Sequence, residues 1–113
     1  MQNILVVEDD MDIQELLQNF LQEAGYGVTL AGDGIEALSL FSAYPFDLVL
    51  LDILLPKIDG YGVCEMIRRQ SQIPIIMLTA LNGEAEQIRG LDLLIDDYIT
   101  KPFEMEELIA RIE

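Results

Sequence analysis

The chain alternates short, wholly apolar runs with segments in which apolar residues recur at helical spacing. Ile4–Val7 is the first such run, and apolar residues from Ile13 to Ala24 then follow at intervals of one, three and four. An apolar run without polar alternation is typical of a strand buried on both faces, whereas the second spacing is typical of an amphipathic helix. This alternation favours an α/β fold, in which helices cover both faces of a parallel sheet.

The same unit recurs along the whole chain. The predicted strands are Ile4–Val7, Val28–Ala31, Leu48–Leu51, Ile75–Leu78 and Tyr98–Thr100. A helix is predicted after each strand, the first capped by Asp10 or Asp12 and ended at Gly25. The polar alternation of Val28–Ala31 predicts an edge strand. We therefore expect five strands and five helices in one domain.

Composition excludes several classes of function. The 113 residues contain 21 acidic and six basic side chains, for a net charge of −15, and no His. The net negative charge disfavours direct binding to nucleic acid or to an anionic membrane, because phosphate recognition needs basic patches. The absence of His excludes a Ser-His-Asp triad and a His phosphodonor within this chain. The single Cys64 excludes an internal disulfide and fits a reduced cytoplasm. No apolar run approaches the roughly 18 residues of a membrane span.

Polar side chains follow the predicted strands where ligands bind in such sheets. Glu8 and Asp9 follow the first strand, Asp52 the third, Thr79 ends the fourth and Lys101 follows the fifth. Because the carboxyl ends of parallel strands share one edge, these side chains should meet. Clustered carboxylates repel one another unless a cation lies among them, and Mg²⁺ prefers oxygen ligands and bridges to phosphate. The pattern indicates phosphoryl transfer, with a carboxylate as nucleophile.

Four segments in order, ILVVEDD, DLVLLDILLPKIDG, IIMLTA and DDYITKPF, resemble the receiver domain of bacterial two-component response regulators. The similarity covers essentially the whole chain and is strongest to the OmpR/PhoB-type subclass. It implies a flavodoxin-like, doubly wound parallel sheet of five strands in the order 2-1-3-4-5 with five helices. It also implies that residues 1–113 are one receiver domain, an N-terminal fragment of a longer regulator.

The resemblance assigns the phosphoacceptor and the metal ligands. Asp52 would take a phosphoryl group from a sensor histidine kinase. Asp9, Asp52 and the backbone carbonyl of Leu54 would ligate Mg²⁺, for which Mn²⁺ can substitute. Glu8 would act through a bound water.

The resemblance also assigns a switch. Lys101 would pair with the carboxylate or the phosphoryl oxygens, and Thr79 would move to hydrogen-bond the phosphoryl group. Tyr98 would then rotate inward, and the bond before Pro102 would be cis. Phosphorylation would in this way change the face formed by the fourth helix, the fifth strand and the fifth helix.

That face is also the dimer face of the resembled subclass. Its positions here are Gln87, Leu94, Ile95, Asp97, Glu107 and Arg111. Leu94 and Ile95 replace the usual Gly-Ala pair, and Gln87 replaces a basic residue that pairs across the interface. We expect altered geometry at the end of the fourth helix and a weak or atypical phosphorylation-linked homodimer.

Three other functions fit parts of the pattern. A phosphatase of similar architecture would carry a second Asp where Leu54 stands, so the chain is expected to be a phosphorylated signalling domain that turns over no substrate. The resemblance also implies slow self-dephosphorylation, because the apolar Leu54 and Leu81 stand where residues control access of the hydrolytic water. A stand-alone interaction module would lack the DNA-binding output domain expected in the resembled subclass. A nucleotide- or flavin-binding domain would need a Gly-rich phosphate loop, and none of the predicted strands is followed by such a loop.

Overall fold

The computed structural model describes residues 2–52, 60–79 and 97–100. The strands are β1 Asn3–Val7, β2 Gly27–Ala31, β3 Leu48–Asp52, β4 Ile75–Thr79 and β5 Asp97–Thr100. The helices are α1 Met11–Glu23, α2 Gly34–Ala43 and α3 Gly60–Arg68. The predicted fourth and fifth helices lie outside the described residues. None of the helices within the described ranges is long and apolar enough to cross a membrane.

The five strands form one sheet in the order β2-β1-β3-β4-β5. Each neighbouring pair is parallel, with β1 between β2 and β3. The predicted α/β class, strand order and edge position of β2 are therefore confirmed. Val7 lies opposite Ala31 on one side and Leu51 on the other, and this register aligns the ends of the three strands.

The sheet is buried on both faces, which explains the unbroken apolar runs of β1 and β3. On one face, residues of these strands pack with α2 and α3 in a cluster that includes Leu5, Val7, Ala37, Val49, Leu51, Val63, Cys64 and Ile67. On the other face, α1 covers a second cluster that includes Ile4, Val6, Leu17, Leu21, Leu48 and Leu50. Burial of one such aliphatic side chain stabilises the fold by roughly 1.5–3 kcal/mol.

Local signals determine where α1 begins and ends. The Oδ1 atom of Asp10 accepts hydrogen bonds from the backbone N–H groups of Asp12 (2.9 Å) and Ile13 (3.3 Å), so Asp10 is the N-cap of the two candidates. Gly25 follows the helix with φ of +98°, a left-handed conformation that favours glycine. Leu16, which helical spacing also selects, is 53% exposed because it lies outside the stripe formed by Leu17 and Leu21.

Candidate functional site

Strand register brings Glu8 and Asp52 to the same place on the sheet. Val7 of β1 pairs with Leu51 of β3, so the residues that follow them, Glu8 and Asp52, are neighbours. Side chains alternate between faces along a strand, which puts both carboxylates on the side of the sheet that α1 covers. The position of the pair is therefore a direct consequence of the parallel register.

Three carboxylates gather at this edge. Glu8 is 1% exposed, Asp52 is 5% exposed and Asp9 is exposed to solvent. One oxygen from each lies within 4.8 Å of the others. Buried charges are normally paired or bound to a cation, so this group of carboxylates is a candidate cation site.

The geometry suits a small divalent cation. Magnesium–oxygen distances are about 2.0–2.1 Å, so two ligands of one ion lie at most about 4.2 Å apart. In the structure one oxygen of each carboxylate lies within 4.8 Å of the others, a spacing close to that value. All-oxygen donors are also the set that Mg²⁺ and Mn²⁺ prefer. Glu8, Asp9 and Asp52 therefore fit such an ion, bound directly or through water.

Hydrogen bonds fix the backbone that carries two of these carboxylates. The N–H of Glu8 donates to the carbonyl of Ala31 at 3.0 Å, and the N–H of Asp10 donates to Oε2 of Glu8 at 3.2 Å. The side-chain amide of Gln14 in α1 donates to the carbonyl oxygen of Glu8. Sequence patterns missed Gln14, because a side-chain bond to a carbonyl six residues earlier follows no helix or strand period.

A family model for the response regulator receiver domain matches residues 4–113. The chain belongs to the response regulator receiver family. It is 52% identical over 109 residues to a probable transcriptional regulator, ycf27, of Cyanophora paradoxa, covering 96% of this chain and 46% of the relative. The receiver thus spans about half the length of the curated relatives it matches.

Solved receiver structures share the fold. A two-component response regulator from Clostridium difficile superposes with a TM-score of 0.96 at 32% identity, covering 99% of this chain and 93% of the other. The BeF3-activated N-terminal receiver domain of RstA from Klebsiella pneumoniae gives 0.94 at 35% identity, covering 98% and 95%. The flavodoxin-like receiver fold expected from the sequence is confirmed.

The remaining predicted residues of the receiver are located only in part. Thr79 is the last residue of β4, one position beyond the pair formed by Asp52 and Leu78. Asp97 begins β5, and Tyr98 lies opposite Met77 in the register of β4 and β5. The predictions that lie outside the described residues concern Leu54, Gln87, Leu94, Ile95, Lys101, Pro102, Glu107 and Arg111.

Proposed function

We propose that this receiver accepts a phosphoryl group on Asp52 from the phosphohistidine of a sensor histidine kinase. A carboxylate oxygen of Asp52 bonds to phosphorus while the phosphorus–nitrogen bond breaks. The histidine nitrogen leaves with the bonding electrons and takes a proton from water. The observation that supports this reaction most is the buried Asp52 carboxylate grouped with Glu8 and Asp9 at the sheet edge.

The surroundings of the three carboxylates favour Asp52 as the nucleophile. Glu8 is the most deeply buried, and its Oε2 already accepts the N–H of Asp10. Asp9 is exposed, where bulk water would solvate an attacking carboxylate. Asp52 is buried at the end of a central strand, so rigid packing orients it. Positioning and charge compensation are the main needs of phosphoryl transfer.

The proposed metal ligands are the same cluster. Glu8, Asp9 and Asp52 would hold Mg²⁺, or Mn²⁺ in its place, with the carbonyl of Leu54 as a further ligand. When bound, the ion supplies positive charge against the carboxylates and the phosphoryl oxygens. That compensation matters because a phosphoryl group adds about −1.5 to −2 charge at pH 7, and the chain already carries −15.

The proposed switch uses the two strands next to β3. Lys101 would pair with the phosphoryl oxygens, with a cis bond before Pro102, and Thr79 would hydrogen-bond the same group. Tyr98 would follow the movement of Thr79 inward. The support is topological, since β4 and β5 follow β3 in order and Thr79 ends the strand beside Asp52. The readout is the face of the fourth helix, β5 and the fifth helix.

The proposed output is transcriptional. Relatives named as transcriptional regulators are about twice the length of this chain. An acidic receiver is unsuited to DNA, so DNA contact would belong to a further domain of the kind expected in the OmpR/PhoB-type subclass. The receiver itself would be a phosphorylated signalling domain that turns over no separate substrate.

Intact-mass spectrometry after incubation with acetyl phosphate tests the proposal. One phosphoryl adduct is expected, which requires both Mg²⁺ and Asp52. Asp52→Ala should remove the adduct, and Asp12→Ala, which changes an exposed carboxylate of α1, should retain it. An adduct that persists in Asp52→Ala would contradict the proposed acceptor, and one that forms equally in EDTA would contradict the metal requirement.

The dimer face of this receiver is proposed to be atypical. Gln87 removes one partner of an ion pair, and Leu94 with Ile95 would replace it with apolar contact near Asp97, Glu107 and Arg111. Sedimentation velocity of acetyl phosphate-treated protein is therefore expected to show weak self-association. Tight dimerisation on phosphorylation would contradict this proposal without touching the role of Asp52.

A further inference from the structure

Hydrogen bonds at its N–H, its carboxylate and its carbonyl oxygen help to hold Glu8 in place. Its N–H donates to the carbonyl of Ala31, and its carboxylate accepts the N–H of Asp10. Its carbonyl oxygen accepts the side-chain amide of Gln14. The first contact joins two backbone groups, and the second needs the Glu8 carboxylate, which is itself a proposed ligand. The third depends on the Gln14 side chain, so substitution can remove it and leave all three carboxylates in place.

Gln14 reaches Glu8 from a confined place. It is half-buried in the first turns of α1, where its N–H donates to the carbonyl of Asp10. A Cβ atom added at Gly32 would lie 3.7 Å from Nε2 of Gln14. The amide therefore lies between the loop after β1 and the loop after β2. The second loop is fixed in turn, because the N–H of Gly32 donates to Oε1 of Glu36 at 2.7 Å.

The carbonyl that Gln14 binds belongs to the peptide group that joins Glu8 to Asp9. A peptide group is planar, so fixing its oxygen also fixes the N–H and the start of Asp9. Asp9 is exposed, and its carboxylate has little packing around it to limit its position. The orientation of this one peptide therefore determines where the exposed carboxylate stands relative to the two buried ones.

We infer that Gln14 is a positioning residue for the divalent-cation site, acting through the peptide between Glu8 and Asp9. This inference rests on the proposed function. Without the amide, the Glu8 carbonyl turns toward water, the peptide rotates and Asp9 moves away from the other two carboxylates. Residues that orient ligands in this way commonly change metal affinity by about 10–100-fold when replaced.

Two variants isolate the contact. Gln14→Met keeps the length and helical preference of the side chain but has no donor. Gln14→Asn keeps the amide but is one methylene too short to reach. Gln18→Met, one turn further along α1, is the matched control. Two-dimensional amide NMR during a MgCl2 titration reports the affinity, and thermal unfolding in EDTA reports stability separately.

Both Gln14 variants are expected to bind Mg²⁺ about tenfold more weakly than the wild type. The amide signal of Asp9 should already be shifted in EDTA, because the peptide has turned. Gln18→Met should match the wild type in both respects. If one Gln14 variant fails to fold, the Mg²⁺ affinity of the other still tests the inference.

Wild-type Mg²⁺ affinity in folded Gln14→Met and Gln14→Asn, with lower unfolding temperatures only, would overturn the inference and leave Gln14 a structural contact. Equal weakening in Gln18→Met would overturn it as well. A wild-type protein that shows neither Mg²⁺ binding nor an Asp52 adduct would instead overturn the proposed function. The two failures are therefore distinguishable.

Discussion

The two edges of the sheet use polar side chains in opposite ways. At the edge where the strands begin, the carboxylate of Asp47 accepts the N–H of Asn3 at 2.7 Å. Nearby, the guanidinium of Arg68 donates to the carbonyl of Ile73 at 2.6 Å. At the edge where the strands end, Glu8, Asp9 and Asp52 gather their negative charges within a few ångströms.

The difference distinguishes polar side chains that stabilise the fold from polar side chains that form the candidate site. Side chains at the first edge satisfy backbone groups and so complete the fold. Carboxylates grouped at the second edge repel one another, and positive charge brought among them offsets the repulsion. Stability alone would not favour a group of like charges. The carboxylate cluster therefore indicates which edge of the sheet carries the candidate functional site.

The largest effect that tests this comparison is expected at Arg68. Arg68→Met removes a charged donor from the carbonyl of Ile73 and should lower the free energy of unfolding by about 2 kcal/mol. Arg69→Met is the control: its ion pair with Glu65 spans 3.3 Å between side chains that are 67% and 57% exposed, so about 0.3 kcal/mol is expected. Urea denaturation measures both. Equal losses would remove the structural role assigned to Arg68.

The next effect is expected at the acidic edge. Mg²⁺ at ten times its dissociation constant should stabilise the protein by about 1.4 kcal/mol, which corresponds to roughly 5 °C or more in unfolding temperature. Asp52→Asn should abolish most of that shift, because it removes one proposed ligand of the ion. Asp12→Asn should preserve the Mg²⁺ shift. A shift of wild-type size in Asp52→Asn would contradict the proposed ligand.

The last comparison is between two glycines at opposite edges, where the smallest effect is expected at Gly32. Gly25 has φ of +98° with nothing within 4 Å of an added Cβ, so Gly25→Ala costs about 1–2 kcal/mol from backbone strain alone. At Gly32 an added Cβ meets only ordinary contacts, at 3.7 Å or more, and Gly32→Ala should stay within about 0.5 kcal/mol. Thermal unfolding resolves the two, and a larger loss at Gly32 would reverse the expectation.

Most of the fold could be predicted because its causes are local. Unbroken apolar runs identify β1 and β3 as central strands, and polar alternation identifies β2 as an edge. The start of α1 was harder to predict, because Asp10 and Asp12 are equally good N-caps by residue type. The choice between them depends on where the chain leaves β1, which the register with its neighbours decides.

The candidate site could be predicted from the sequence only in part. Glu8, Asp9 and Asp52 follow from strand ends that share an edge. The contact of Gln14 with the Glu8 carbonyl could not be predicted in this way, because it depends on how far α1 lies from the sheet. A half-buried polar residue beside the apolar stripe of α1 was the one available signal, and by itself it does not name a partner.

The unequal burial of the three carboxylates gives the cation site a direction. Asp9 stands at the solvent side, while Glu8 and Asp52 lie at the base. An ion entering the proposed site with its water shell would meet Asp9 first and would give up water only on reaching the buried pair. Because Mg²⁺ loses water reluctantly, this order would make entry stepwise. The exposed carboxylate would then govern how fast the site fills, and the buried pair how long it stays filled.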